Sequence, residues 1–236
     1  MIDVHTHILS GVDDGSRNVG MTTEMLRRAR EAGITQVIAT PHVYCPEDQK
    51  RNRAALSAAR EIARPLRMPI VMGCEFNYRA LLKTDIGCLD AFCMGSTRCI
   101  LLELSQDRLL PGWDALISEL QDHGYFPIIA HPERYAYIQR DFSIAREMCE
   151  LGCEMQVDAG GLMASLLSGE RRTARKLLKE GMAHYIASDA HRPEDYDTFE
   201  KAYKVFSGEW PSQNRLKKAL RTLQEERKRR GQGMET

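Results

Sequence analysis

The sequence lacks several features that would point to particular classes of protein. Its 33 basic and 33 acidic side chains leave no formal net charge, whereas nucleic-acid and anionic-membrane binders normally carry a basic excess. No apolar run approaches the roughly 18 residues that a transmembrane helix needs. No basic segment followed by an apolar one opens the chain, so we expect no signal peptide. These absences predict a cytoplasmic protein that neither binds nucleic acid nor inserts into membranes.

The Cys-x-x-Cys pair that is typical of structural zinc sites is also missing. None of the seven cysteines forms a Cys-x-x-Cys pair, which argues against a structural zinc site. Several cysteines, such as Cys74 and Cys99, lie inside apolar runs, and their total number is odd. This usage is typical of buried free thiols in a reducing compartment.

The sequence does contain a regular alternation of short strand-like and longer helix-like segments. The strands are mostly continuous apolar runs, as in parallel sheets that helices cover. No glycine-rich phosphate turn follows the first strand, which weakens the case for a dinucleotide-binding open sheet. This absence alone does not decide between a closed barrel and an open sheet. The predicted strands are 2–7, 35–42, 69–76, 96–104, 125–133, 153–160 and 183–191, and the predicted helices are 22–33, 51–66, 113–124, 144–152 and 174–181.

No linker or repeat divides the chain, so residues 1–236 are predicted to form a single domain. From Gln213 onward, Leu216, Leu220 and Leu223 recur at helical spacing and are followed by KRRGQG. We interpret segment 213–236 as a peripheral helix docked on the outside, with a frayed basic tail. A solvated tail is favoured over a nucleic-acid arm because so few charges rarely suffice alone.

The first fifteen residues, MIDVHTHILSGVDDG, organise the chain. His5 and His7 are two apart, so in a strand both imidazoles point to the same face. Imidazole is the commonest protein ligand for transition metals. Asp14 lies in a Val-Asp-Asp-Gly turn that can fold back over the strand end. The alternative for these residues alone is a buried strand with two hydrogen-bonded histidines.

Residues of the type that bind metals also end the later predicted strands. In a βα barrel this end is the active-site face, because the βα loops converge there. Independent core histidines would have no reason to share one end, and His123 and His184 fall toward the other end as structural or surface histidines. The strand-end residues are His42, Glu75, Glu103, His131, Asp158, Asp189 and His191.

Three residues of the opening segment and six of the strand-end residues form the predicted metal site. Mixed imidazole and carboxylate ligands suit zinc, manganese or iron(II), and nine donors are too many for one ion. Two or three clustered ions are therefore implied, a device for hydrolysing phosphate esters. The nine residues are His5, His7, Asp14, His42, Glu75, Glu103, His131, Asp189 and His191.

The motifs resemble those of a known superfamily. The N-terminal His-x-His, the Pro-His after strand two, AHPER after strand five and SDAH after strand seven resemble the PHP (polymerase and histidinol phosphatase) superfamily. The strings MIDVHTHILSGVDDG and IIAHPERY are similar to bacterial manganese-dependent protein tyrosine phosphatases of the capsule and exopolysaccharide type. The match runs from residue 1 to about residue 195.

This resemblance implies a distorted TIM-like barrel of seven βα units with a trinuclear metal centre, manganese being expected and iron or zinc being possible. By position, His5, His7, Glu75 and Asp189 would hold one metal, with Glu75 bridging to a second that Glu103 and His131 complete. Asp14, His42 and His191 would hold the third. The implied substrate is a phosphotyrosine protein, namely the tail of a bacterial tyrosine kinase that controls capsule synthesis. A homo-oligomer remains possible.

Two arginines are candidates for binding phosphate. Arg134 follows His131 in AHPERY, and a guanidinium beside a metal cluster can hold two phosphate oxygens. The alternative is a surface arginine paired with Glu133. Arg192 directly follows His191 and is the nearest candidate for the family's second arginine, although its register differs. Arg134, together with Asp14 and His42, is also assigned to catalysis.

Three other functions are weighed against this one. The first is a phosphatase for histidinol phosphate or another small molecule, and the second is a non-catalytic regulatory module that keeps the metal site. The third is a thiol mechanism, because Cys45 and Arg51 have the Cys-x5-Arg spacing of cysteine-based tyrosine phosphatases. The segment CPEDQKR lacks glycine and carries two acids that would repel phosphate, so we reject the thiol mechanism.

Overall fold

The computed structural model of the protein describes residues 1–212 together with Leu216 and Leu220. Both leucines are helical and buried. The rest of the predicted C-terminal helix, including Leu223 and KRRGQG, lies outside the described residues. No helix in the described part of the chain is long and apolar enough to cross a membrane.

Strands and helices alternate through the described chain, as the sequence predicts. The strands are β1 (Ile2–Thr6), β2 (Gln36–Ala39), β3 (His42–Val43), β4 (Ile70–Met72), β5 (Glu75–Asn77), β6 (Cys99–Glu103), β7 (Phe126–Ala130), β8 (Glu154–Asp158) and β9 (Ala183–Ala187). The α-helices are α1 (Val19–Glu31), α2 (Asp48–Ala63), α3 (Tyr78–Leu81), α4 (Trp113–Asp122), α5 (Ala136–Arg140), α6 (Ser143–Glu150), α7 (Ala159–Met163), α8 (Gly169–Lys179) and α9 (Asp195–Phe206). Short 3₁₀ helices span Ile86–Phe92, Pro132–Arg134 and Ser207–Glu209.

Two predicted strands are each broken into two pieces. The second strand divides into β2 and β3 around Pro41, which has no N–H to donate to a neighbouring strand. The third divides into β4 and β5 around Gly73, where an added Cβ would lie only 3.0 Å from the Ile38 side chain. β2 and β4 join β1 in one sheet, whereas β3 and β5 begin the other, in the order β3-β5-β6-β7-β8-β9.

All pairings within these two sheets are parallel, so the predicted parallel α/β architecture is confirmed. An isolated parallel bridge between Thr6 and Ala190 links the end of β1 to the chain that follows β9. The His7 amide donates to the Ala190 carbonyl at 2.9 Å, and the Asp189 amide donates to the His5 carbonyl at 2.9 Å. The strands thus follow one another in a barrel-like ring, but hydrogen bonding divides them into two sheets. A fully closed seven-stranded barrel remains a prediction.

The two faces of the strands contribute to two separate apolar clusters. Ile100, Ile129 and Ile186 pack outward into the larger cluster, which also contains the buried faces of the helices. Alternate residues of the same strands, such as Leu101 and Ala187, form an inner cluster. Leu216 and Leu220 belong to this inner cluster. Because side chains alternate along a strand, Glu103 and Asp189 continue the inner face beyond its apolar part.

Candidate metal centre

Four buried side chains converge beyond the end of β1. The Nε2 atoms of His5 and His7 lie 3.2 Å apart. Glu75 Oε2 is 3.2 Å from His5 Nε2 and 3.4 Å from His7 Nε2, and Asp189 Oδ1 is 3.2 Å from both nitrogens. These are the four residues that the resemblance assigns to one metal, and the structure brings them together as one group.

The other ring nitrogen of each histidine is already engaged. His5 Nδ1 donates to Gln156 Oε1 at 2.7 Å, and His7 Nδ1 donates to Asp13 Oδ2 at 2.7 Å. Both acceptors therefore hold the ring proton on Nδ1 and leave a lone pair on Nε2. The two lone pairs, together with Glu75 Oε2 and Asp189 Oδ1, point at one place. Neither of these two carboxylate oxygens has a hydrogen-bond partner.

This arrangement fits a cation. Two donor atoms held about 2.1 Å from one ion lie about 3.0–3.4 Å apart at ordinary coordination angles. The observed separations of 3.2–3.4 Å fall in that range. While both imidazoles are neutral and protonated on Nδ1, four lone-pair donors buried so close together cannot satisfy one another by hydrogen bonding. The residues present therefore fit a metal ion.

The electrostatics of the group indicate the same need for positive charge. Burial lowers the pKa of His5, but Asp189 and Glu75 outweigh this effect and raise the pKa to about 9. Burial also lowers the pKa of His7, but the contacts with Asp13, Asp189 and Glu75 outweigh this effect. The pKa of His7 therefore rises well above its ordinary value. Although burial favours their neutral forms, the neighbouring histidines hold the pKa values of Glu75 and Asp189 well below the ordinary range.

A second group shares Glu75 but differs from the predicted set. Donor atoms of His42, Glu75 and Glu103 lie within 4.8 Å of one another, with His42 Nδ1 2.9 Å from Glu75 Oε2. His131, predicted to complete this group, contacts the other oxygen of Glu75, with its Nε2 2.7 Å from Oε1. Asn77, at the end of β5, donates through Nδ2 to Glu103 Oε2 at 2.8 Å and so orients that carboxylate.

The third group joins the turn after β1 to the ends of two later strands. Asp14 Oδ1 lies 3.3 Å from His191 Nε2 and 3.5 Å from His42 Nε2. His191 Nδ1 donates to the Asp189 carbonyl at 2.9 Å, which leaves Nε2 free to face Asp14. The predicted trio of Asp14, His42 and His191 is thus assembled, and His7 lies with it. Asp14 is 70% exposed, so this group faces solvent.

Gly15 allows the turn to reach the strand end. A Cβ at this position would lie 2.3 Å from both the Cβ and the carbonyl oxygen of His7. The absence of a side chain lets the Ser16 amide donate to the His7 carbonyl at 2.9 Å. Asp13 is thereby placed beneath His7, where its Oδ2 also accepts from the His42 amide at 3.1 Å. This close approach is the fold-back that the Val-Asp-Asp-Gly turn predicts.

Two of the residues that follow the strands have a left-handed backbone. His131 has φ 32° and Asp189 has φ 47°, a region that residues other than glycine seldom occupy. Both follow parallel strands and both direct their side chains into the cluster. Such conformations persist where surrounding contacts determine them, and they concentrate at functional sites.

Arg134 also faces the cluster rather than the surface. Its Nη2 lies 2.5 Å from Asp158 Oδ2 and 2.8 Å from Asp189 Oδ2. The alternative of a surface pair with Glu133 is wrong, because Glu133 is fully buried and accepts from the Asp158 amide through Oε1. The Arg134 side chain is still 34% exposed, so it is not closed off from solvent.

Arg192 lines the same opening but is held less firmly. A cavity of about 310 Å³ is bordered by Arg134, Asp189, His191 and Arg192. The Arg192 side chain is 70% exposed, and its Nη2 is 3.9 Å from Asp195 Oδ1. The structure therefore places both predicted phosphate-binding arginines at one cavity beside the cluster.

The remaining histidines and the Cys45 segment lie outside the three groups. His123 is exposed at the end of α4, and His184 Nδ1 accepts from the Met155 amide, as expected for structural or surface histidines. Cys45 is exposed, and partial desolvation together with Glu47 and Asp48 raises the pKa of its thiol. A raised pKa is the opposite of what a nucleophilic thiolate needs.

Sequence reasoning missed the residues that orient the ligands. Asp13 and Gln156 hold His7 and His5, and Asp158 holds Arg134 without belonging to any of the three groups. Asp158 could be noticed only as an acid at a strand end. Nothing in the sequence identifies Gln156, because an amide within a strand carries no signal of its own.

Several known proteins are similar to this chain over most of its length. The chain is 31% identical over 221 residues to the tyrosine-protein phosphatase YwqE of Bacillus subtilis, covering 89% of this chain and 87% of the relative. It is 29% identical over 196 residues to the putative tyrosine-protein phosphatase CapC of Staphylococcus aureus, covering 81% and 77%. It is 25% identical over 219 residues to the tyrosine-protein phosphatase CpsB of Streptococcus pneumoniae, covering 88% and 90%.

Solved structures show the same fold. One chain from the crystal structures of YwqE and CpsB, which are described as unique metal-dependent tyrosine phosphatases, matches with a TM-score of 0.70 at 28% identity, covering 88% of this chain and 87% of the other. An organophosphorus hydrolase from Deinococcus radiodurans shares the fold more distantly, with a TM-score of 0.50, 16% identity and coverage of 81% and 74%. The CpsB/CapC family of capsular polysaccharide synthesis matches residues 1–204. The chain therefore belongs to the CpsB/CapC family.

Proposed function

We propose that the protein is a metal-dependent tyrosine-protein phosphatase of capsular polysaccharide synthesis. The observation that carries this proposal is the convergence of His5, His7, Glu75 and Asp189 on one point beside Arg134. The relatives named as tyrosine phosphatases, and the metal dependence stated for the solved structures, support the same conclusion.

The three groups are proposed to hold the metal ions. His5, His7, Glu75 and Asp189 would hold one, and Asp14, His42 and His191 another. The remaining group is centred on Glu75 and Glu103, with either His42 or His131 as its imidazole. Manganese is the expected metal, and iron or zinc would suit the same donors.

The chain's own residues have separate tasks around these ions. Bound metals would supply an acidified water as nucleophile and neutralise charge on the phosphoryl oxygens. Arg134 would bind phosphoryl oxygens through its guanidinium, and Arg192 would assist from the cavity rim. Asp13 and Gln156 keep the His7 and His5 protons on Nδ1. Asp14 and His42 lie at the open side, where substrate would enter.

We propose that the substrate is a phosphotyrosine-rich protein segment, such as the tail of a bacterial tyrosine kinase, and that the reaction occurs in the cytoplasm. The cavity beside Arg134 and Asp189 is open. An open cavity suits part of an extended protein segment better than a small molecule, which a closed pocket would surround. A homo-oligomer and a fully closed barrel are also compatible with the chain.

The test is hydrolysis after removal and return of single metals. EDTA should abolish cleavage of a phosphotyrosine peptide, and Mn²⁺ should restore it, whereas iodoacetamide should leave the enzyme active. Comparison with histidinol phosphate separates this proposal from a small-molecule phosphatase, which would prefer the latter. A metal-loaded protein that cleaves neither substrate nor a generic aryl phosphate would indicate a regulatory module.

A further inference from the structure

A buried carboxylate at the end of β8 connects two parts of the site without belonging to either. Asp158 is fully buried and is absent from the three groups of candidate ligands. One of its oxygens faces Arg134 and the other faces Gln156. A buried charge is costly unless it is paired and hydrogen-bonded, so both contacts are part of what keeps Asp158 in place.

The contact with Arg134 fixes the guanidinium from its inner side. Nη2 lies between Asp158 Oδ2 at 2.5 Å and Asp189 Oδ2 at 2.8 Å. Both contacts use the same nitrogen, so the donors on Nε and Nη1 remain for a ligand. A long, flexible arginine held in this way loses less conformational entropy when it binds a phosphate.

The contact with Gln156 fixes the orientation of an amide. Gln156 Nε2 donates to Asp158 Oδ1 at 2.7 Å, and Gln156 Oε1 accepts from His5 Nδ1 at 2.7 Å. An ionised carboxylate only accepts hydrogen bonds, so it selects the NH₂ end of the amide. The carbonyl end must then face His5, which keeps the imidazole proton on Nδ1.

The neighbouring acid does not compete for this role. Glu133 Oε1 accepts from the Asp158 amide at 2.8 Å, and Gly161 leaves room for it, since a Cβ there would lie 2.7 Å from Oε1. Glu133 thus supports the backbone of Asp158, and Asp158 supplies the charge that faces Arg134.

We propose that Asp158 is a positioning residue that prepares both the phosphate-binding arginine and a metal-ligating histidine, through the chain Arg134–Asp158–Gln156–His5. This inference rests on the proposed function. It assigns Asp158 no contact with substrate or metal. Its effects must therefore pass through Arg134 on one side and through Gln156 on the other.

The experiment measures binding of inorganic phosphate and of Mn²⁺ by calorimetry, so it does not depend on turnover. The variants are Asp158→Asn, Arg134→Ala, the double variant and Glu133→Gln as the matched control. Asp158→Asn should weaken phosphate binding to the manganese-loaded protein about tenfold, because an amide presents a donor to the guanidinium. It should weaken Mn²⁺ binding by about tenfold, as loss of outer partners of ligands does. Glu133→Gln should change neither affinity, because the glutamine Oε1 can still accept from the Asp158 amide.

Non-additivity separates positioning from a general structural effect. With Mn²⁺ held at saturation, so that the effect through His5 is removed, the double variant should bind phosphate no more weakly than Arg134→Ala alone, because Asp158 then has no arginine to position. Additive losses would overturn the proposal, and so would unchanged or tighter phosphate binding by Asp158→Asn, which would mean that the carboxylate competes with phosphate. If Asp158→Asn does not fold, Asp158→Ser replaces it with the same expectation for phosphate binding.

The outcomes also distinguish this inference from the proposed function. If Arg134→Ala binds phosphate as tightly as the unmodified protein, the role of Arg134 under the proposed function is wrong. If Arg134→Ala weakens phosphate binding and Asp158→Asn does not, only the positioning role of Asp158 is wrong.

Discussion

Substitution of Gly15 by alanine should disrupt the metal site although Gly15 offers no ligand. The added Cβ would lie 2.3 Å from the Cβ and the carbonyl oxygen of His7. Real Cβ atoms do not approach backbone this closely, so the turn must move away from β1. Because the obstruction includes the His7 backbone, rotation of a flexible side chain cannot relieve it.

The magnitude follows from the hydrogen bonds that the moving turn would lose. The Asp13–His7 contact is charge-assisted, and such bonds contribute about 1.5–3 kcal/mol. The bond from the Ser16 amide to the His7 carbonyl adds about 0.5–1.5 kcal/mol. The free energy of unfolding of the metal-loaded protein should therefore fall by about 2–4.5 kcal/mol. Mn²⁺ affinity should fall about 10- to 100-fold, because His7 loses the partner that fixes its proton.

Calorimetric titration with Mn²⁺ and thermal melting would measure both effects. Gly208→Ala is the matched control, because a Cβ at Gly208 would meet no atom within 4 Å. The control should retain both its affinity and its melting temperature. If Gly15→Ala also retains both, the close approach at His7 does not build the site, and our explanation of the turn is refuted.

Three further predictions concern the metal-ligating residues and the phosphate-binding Arg134. His5→Ala and Asp189→Ala should each abolish turnover while circular dichroism shows that most of the fold remains; an active variant would remove that residue from the site. Arg134→Ala should mainly raise KM for a phosphotyrosine peptide, and steady-state kinetics with unchanged KM would exclude it as a phosphate clamp. In the metal-free protein, Asp189 and Glu75 outweigh the effect of burial and raise the pKa of His5 to about 9. The protonated form of His5 therefore stabilises the fold fully below about pH 6.5, and this stabilisation is lost as the pH rises through 9. Melting temperatures of the metal-free protein should therefore fall over that interval and those of the metal-loaded protein should change less, whereas equal pH profiles would contradict this origin of the shift.

The order of elements and the location of the site could be read from the sequence because both depend on local patterns. Apolar runs identified the strands, and the residues that end them belong to one edge in any parallel arrangement. The breaks at Pro41 and Gly73 were missed, because one residue within an apolar run does not reveal that its two halves pair with different neighbours. The position of Leu216 and Leu220 in the inner cluster was missed for a similar reason, since helical spacing shows which residues are buried but not against what.

The orienting residues depend on long-range packing and therefore could not be predicted. Gln156 meets His5 across 151 positions of the chain, and Asp158 meets Arg134 only because β8 lies beside β7. Likewise, His42 and His131 both contact Glu75, and no spacing in the sequence decides which of them lies closer to Glu103. Ligand types were thus readable from the chain, whereas their partners required the fold.

The most direct measurement is anomalous scattering from crystals of the protein grown with Mn²⁺, recorded at the manganese absorption edge. A peak is expected between His5 Nε2, His7 Nε2, Glu75 Oε2 and Asp189 Oδ1, with at least one more peak beside Glu103 or Asp14. Crystals of catalytically active protein that show no anomalous peak among these four atoms would contradict this metal site.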